Sequence, residues 1–228
     1  MSDLQIVALL FPKVTQLDLT APAQVFARLP GARVHLAWHD TAPVVTDCGW
    51  SIVPTTTLTD CPPADILFVP GGEGAFELFE DDVALDFLRR QAASARWVTS
   101  VCTGSFALAA AGLLDGRRAT SHWASLEMLA EFGVVPVSER VVVDGQVVTG
   151  AGVTSGMDFA LQLAALEVGE DVARGVQLTL EYDPAPPFDH GSPRTADPEA
   201  VRLGRQRARE GRLARVQQAA HRLASGRS

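Results

Sequence analysis

Cys102 stands at the end of a short apolar run, Arg96-Trp97-Val98-Thr99-Ser100-Val101-Cys102, and passes at once through Thr103 and Gly104 into an alanine-rich stretch. That is where a nucleophile would sit. A strand that turns sharply into a helix lifts the residue at the turn above the sheet edge, and Gly104 lets such a turn close without a Cβ clash. The thiol then faces the unpaired N–H groups and positive end of a helix, which favour thiolate, the form that attacks electrophiles. Free cysteine is also among the most buried residue types, so an inert core thiol stands beside this reading.

The other groups able to share in such chemistry fall where strands should end. Asp18, between Leu17 and Leu19 and ahead of Pro22, is a carboxyl that desolvation could raise in pKa and suit to proton exchange; the alternative is a helix N-cap. Gly71 and Gly72 follow a buried apolar run and offer backbone N–H groups which, with that of Thr103, could line an anion-stabilising pocket; the alternative is a tight turn without a ligand. Thr103 is either a hydrogen-bonding neighbour of the sulfur or ordinary packing. Glu73 is a second candidate acid, or a solvated loop residue. His122 is the histidine nearest the expected sheet centre, and a structural role competes with one as a base. His35, His39, His190 and His221 lack ligand spacing, so no metal site is expected.

These positions require strands alternating with helices. Strand-like runs lie at Gln5–Leu10, Arg33–Trp38, Ile66–Val69 and Trp97–Val101, with a hairpin over Val44–Pro54 around Cys48-Gly49 and short β-branched runs at Val134–Val137, Val141–Val143 and Val147–Thr149. Helical spacing is read over Ala21–Leu29, Asp82–Ala95, Gly104–Leu113, Trp123–Phe132, Val153–Glu167 and Asp171–Leu180. The alternation predicts an α/β fold with a doubly wound, mostly parallel sheet covered on both faces. After Tyr182 a proline-rich stretch, Pro184-Ala185-Pro186-Pro187-Phe188, reads as an extended arm. Pro198–Ala224 then reads as a basic helix whose narrow stripe of Leu213, Val216, Ala220 and Leu223 calls for a partner.

Composition bounds the rest. The 228 residues are 47% apolar and 20% charged, enough for one large core. Of the net charge of −8, the segment from Arg194 onward contributes a surplus of six, nine arginines against Asp197, Glu199 and Glu210, which leaves about −14 on the remainder. That segment lacks interleaved aromatics and any DNA-binding motif, so no nucleic-acid partner is expected. No basic leader opens the chain, and Pro12 and Lys13 interrupt the first apolar run, so neither a signal nor a membrane span is expected and a cytoplasmic location follows. Cys48, Cys61 and Cys102 fit neither a zinc site nor a disulfide framework.

Four segments, Thr15-Gln16-Leu17-Asp18-Leu19-Thr20-Ala21-Pro22, Val69-Pro70-Gly71-Gly72, Val101-Cys102-Thr103-Gly104 and Ala119-Thr120-Ser121-His122-Trp123, together resemble the ThiJ/PfpI superfamily over about residues 4–183. Leu180–Phe188 and the basic helix resemble its isocyanide-hydrating members in particular. The resemblance implies a flavodoxin-like homodimer needing no cofactor, with Cys102 matching the nucleophile, Asp18 the acid/base and Thr103 the neighbour at the turn. The implied substrate is a small isocyanide, hydrated to an N-substituted formamide through a thioimidate on Cys102. Residues 1–183 would form the catalytic domain, and 184–228 an arm and basic helix packing at a dimer interface. Glyoxalase, deglycase and peptidase-like members are the enzyme alternatives; the peptidase-like ones carry histidine directly after the cysteine, where Thr103 stands here. Cys102–His122 also resembles the sensor domain of AraC-type regulators, which continue into a double helix-turn-helix of roughly a hundred residues, longer than the segment beyond Phe188.

Overall fold

A computed structural model describes residues 3–226. In chain order the elements are β1 (Leu4–Leu9), α1 (Gln16–Phe26), β2 (Ala32–Trp38), β3 (Val44–Val45), β4 (Ser51–Ile52), β5 (Thr56–Thr57), β6 (Ile66–Val69), α2 (Gly74–Glu77), α3 (Asp82–Ser94), β7 (Trp97–Val101), α4 (Gly104–Ala110), β8 (Arg118–Ala119), β9 (Val135–Pro136), β10 (Val141–Asp144), β11 (Val147–Gly150), α5 (Ser155–Val168), α6 (Glu170–Thr179) and α7 (Pro198–Ser225). Short 3₁₀ segments cover Leu78–Glu80 and Leu126–Phe132.

Seven strands form one sheet in the order β10-β11-β7-β6-β1-β2-β5, parallel throughout except for the edge pair β10–β11. Strands β1 and β6 read as unbroken apolar runs because both faces are covered: Ile6 to Leu9 and Ile66 to Val69 are all buried. On one face Phe68 meets Phe26 of α1 and Phe159 of α5, with ring centroids 5.8 Å away in each case. On the other, Phe76 of α2 packs on Phe106 of α4 at 5.1 Å and on Phe79 at 5.7 Å. Asp81 starts α3 by accepting the Ala84 N–H, and Asp197 starts α7 by accepting those of Glu199 and Ala200.

Several boundaries differ from those read in the sequence. Helix α1 begins at Gln16 rather than Ala21, so Asp18 lies inside its first turn and makes no cap hydrogen bond. Leu126–Phe132 is 3₁₀ rather than α, and the helix read from Gly104 ends at Ala110. Of the run at 134–137 only β9 is strand, paired with β8 outside the main sheet. The hairpin appears as β3–β4 turning through Cys48 and Gly49. The apolar stripe of α7 is covered by the chain itself: Val216 and Ala219 are buried, and Leu213, Ala220 and Leu223 pack against the core.

The topology fixes where a site can form. From β1 the chain runs outward through β2 to β5, then returns to the other side of β1 as β6, β7 and β11. The crevice at this reversal opens at the carboxyl ends of β1 and β6, where an open α/β sheet binds ligands. Among the described residues no helix is long and apolar enough to cross a membrane.

Candidate active site at the strand-to-helix turn

Cys102 occupies the turn between β7 and α4 with a positive φ of 56°, a conformation that non-glycine residues adopt at an energetic cost and that surrounding bonds must hold. Its N–H donates to Ala151 O at 2.7 Å and Gly150 O at 3.0 Å, while its carbonyl accepts from Ser121 Oγ at 2.9 Å and Ser105 Oγ at 3.1 Å. A Cβ on Gly104 would drive into the carbonyl oxygens of Val69 and Pro70, so this residue must be glycine for α4 to start so close to β6.

The loop after β6 closes the site from the other side. Thr15 N–H donates to Gly71 O at 2.9 Å, and Val14 bridges Gly72, which draws the first turn of α1 against this loop. A Cβ on Gly71 would lie 2.7 Å from Asp18 Oδ2, from Cys102 Cβ and from Thr103 N. One hydrogen-sized gap is therefore shared by the carboxyl, the nucleophile's own side chain and the helix N-terminus. Thr103 joins the two loops: its hydroxyl accepts the Gly72 N–H at 2.9 Å and donates to Gly72 O at 3.0 Å. This corrects one expectation, since the Gly72 N–H is committed to Thr103 and is not free for a ligand.

Asp18 is fully buried, and neither carboxyl oxygen has a hydrogen-bond partner of ordinary geometry. Burial raises its pKa from 3.8 to about 7, with the nearby Cys102 thiol and Gly71 N–H pulling it back and the Asp47 charge adding to the rise. Cys102 is 5% exposed, and burial together with the neighbouring Asp18 charge pushes its thiol well above the ordinary value, against a smaller opposing pull from Thr103. The helix N-terminus was expected to favour thiolate; desolvation and the carboxylate outweigh it.

A cleft of about 290 Å³ is lined by Ser121, His122, Arg140, Ala151, Val153 and Arg194 among others. Two of these, Ser121 and Ala151, hold the Cys102 backbone. His122 accepts the Ala124 N–H on Nδ1 at 3.3 Å, and burial and the Arg212 charge lower its pKa. Glu73 points away to Arg212 of α7, whose guanidinium donates to Glu73 Oε2 at 2.9 Å and Ser125 Oγ at 2.9 Å. Arg140 reaches Asp158 and Thr154 O, and the Tyr182 hydroxyl donates to the same Asp158 oxygen at 3.2 Å, fastening the start of the arm to α5. Sequence reading brought Asp18, Gly71, Cys102 and Thr103 to one point, but passed over Ser105, Ser121, Arg140 and Arg212. Ser121 lies within the Ala119–Trp123 segment, and its position beside His122 is the signal the sequence offers.

The DJ-1/PfpI family model matches residues 4–166, from the first strand into α5. This chain belongs to the DJ-1/PfpI family. It is 57% identical over 205 residues, 90% of each chain, to isonitrile hydratase of Pseudomonas putida. A ThiJ/PfpI family crystal structure from Pseudomonas syringae superposes with a TM-score of 0.92 at 40% identity, covering 96% of this chain and 91% of that one. The transcriptional regulator GbdR of Pseudomonas aeruginosa is 32% identical over 179 residues, 76% of this chain but 48% of the regulator. The flavodoxin-like DJ-1/PfpI fold holds for the whole sheet, with α7 added beyond the matched region.

Proposed function

We propose that this protein is an isocyanide hydratase, converting R–N≡C and water to R–NH–CHO at Cys102. The observation that carries the reading is the identity to the Pseudomonas putida enzyme across nine-tenths of both chains. The convergence of Asp18, Cys102 and Thr103 on Gly71 supports the roles given to them. With the thiol pushed up and Asp18 near 7, the pair above neutrality holds one proton, resting on sulfur. Asp18 takes that proton as sulfur bonds to the terminal carbon of the isocyanide, then delivers it to the same carbon, giving the thioimidate R–N=CH–S–Cys102. The carboxylate next draws a proton from water as oxygen adds to the carbon, and passes it to nitrogen. The C–S bond then breaks as C=O forms, the departing sulfur regains the hydroxyl proton, and the formamide leaves. No electrons are exchanged with a second reactant. Gly71, with no side chain, lets the Asp18 carboxyl approach the sulfur closely enough for this proton exchange.

The test is steady-state turnover of an alkyl isocyanide by Cys102→Ala and Cys102→Ser, with mass spectrometry of acid-quenched wild type. Both variants should be inactive, and the quenched enzyme should carry the mass of one substrate. Near-wild-type turnover by either variant overturns the covalent step.

The homodimer belongs to the same proposal. Leu17, Val45, Trp50 and Val53 are exposed apolar side chains on neighbouring segments, a concentration that suits contact with a second copy. Residues 1–183 serve as the catalytic unit and 184–228 as its covering arm and strut, and the three free thiols suit the reducing cytoplasm. The likeness to GbdR favours one second reading, a ligand sensor. Salt-dependent retention on DNA without formamide production would support the sensor instead.

A further inference from the structure

We infer that Arg212 of α7 is a positioning residue for the nucleophile, holding together the two loops that flank Cys102; this rests on the hydratase reading above. Two bonds from its planar guanidinium reach Glu73 Oε2, at 3.2 Å from Nε and 2.9 Å from NH2, and a third reaches Ser125 Oγ at 2.9 Å. The same group lies 4.9 Å from the centre of the Phe76 ring. Glu73 directly follows Gly71-Gly72, the pair that touches Asp18 and is tied to Thr103. Ser125, itself 1% exposed, donates its N–H to His122 O at 2.9 Å and so closes the loop whose Ser121 hydroxyl holds the Cys102 carbonyl. One loop meets the Cys102 side chain and the other its carbonyl, and the two are far apart in sequence. The Arg212 side chain is 24% exposed, and its fork matches this planar, three-bond seat as a lysine cannot.

α7 lies outside residues 4–166 matched by the family model, so the strut is an addition to the shared fold. Its other anchors act elsewhere: Arg222 donates to Phe79 O at 3.0 Å and Gln217 to Glu131 at 3.2 Å. Arg212 alone among these joins both loops around the sulfur.

The experiment compares Arg212→Gln, Arg212→Lys, the milder Ser125→Ala, and Arg222→Gln as a control that loosens α7 away from the site. Wild type is first assayed with an alkyl isocyanide. If it makes no formamide, the hydratase reading fails and the inference falls with it. If it does, Arg212→Gln should lower kcat on the order of 10- to 100-fold with KM within about twofold, since misplacing a reacting group costs rate rather than binding. Arg212→Lys should recover only part of that loss, and Ser125→Ala should lower kcat in the same sense by less. Arg222→Gln should lower Tm with kcat unchanged. Unchanged kcat in soluble Arg212→Gln, or equal kcat losses in Arg212→Gln and Arg222→Gln, overturns the inference; if Arg212→Gln does not fold, unchanged kcat in Ser125→Ala does so.

Discussion

At the scale of single residues, Asp18 carries the sharpest prediction because function and stability pull it in opposite directions. Between pH 3.8 and about 7 the folded chain keeps a proton on this carboxyl that the unfolded chain has released, so stability falls as pH rises through that window and levels off above it. At 1.36 kcal/mol per pH unit the difference is roughly 4 kcal/mol. Asp18→Asn is therefore expected to raise Tm at pH 8 and to leave it nearly unchanged at pH 4, as thermal melts at the two pH values will show. The same variant should lose about 100-fold or more in kcat, the range of a removed general acid/base.

At the scale of elements, the turn and the glycine loop are a single device. Thr103→Val keeps the shape but leaves the Gly72 N–H and C=O unpaired in the interior, and should destabilise by about 1–3 kcal/mol in urea titrations while lowering kcat. Gly71→Ala should be worse for rate, on the order of 100-fold in kcat, because its methyl group displaces Asp18, Cys102 and Thr103 together. Much of this was legible beforehand. The alternation of strands and helices, the cysteine at a strand end before Gly104, and the Pro-Gly-Gly after a buried run all follow from local periodicity and turn chemistry. The start of α1 was misplaced because Gln16 to Thr20 mixes polar and apolar residues without a helical stripe. Leu126–Phe132 shows the same apolar spacing whether wound as α or 3₁₀. Neither the Thr103–Gly72 bond nor the desolvation of the thiol was readable, since each depends on which segments the sheet order brings together.

At the scale of the whole molecule, the pH dependence of turnover should report the buried pair rather than either group alone. With Asp18 near 7, kcat/KM is expected to rise through about pH 7 to a plateau as the first proton leaves. A profile flat from pH 5 to 9 would remove Asp18 from the proton path. The proposed self-association is checked by light scattering: wild type is expected to measure as a dimer, and Trp50→Glu to shift it toward monomer because it places a charge on the exposed apolar face.

Tyr182 is the chain's single tyrosine, and burial and the Asp158 charge raise the pKa of its phenol. Its near-ultraviolet absorbance therefore offers an unlabelled optical gauge of whether the arm is attached. Release of the arm, taking Tyr182 away from Asp158 and out of its half-buried seat, would bring the tyrosinate band in at lower alkalinity, a signal untouched by the four tryptophans.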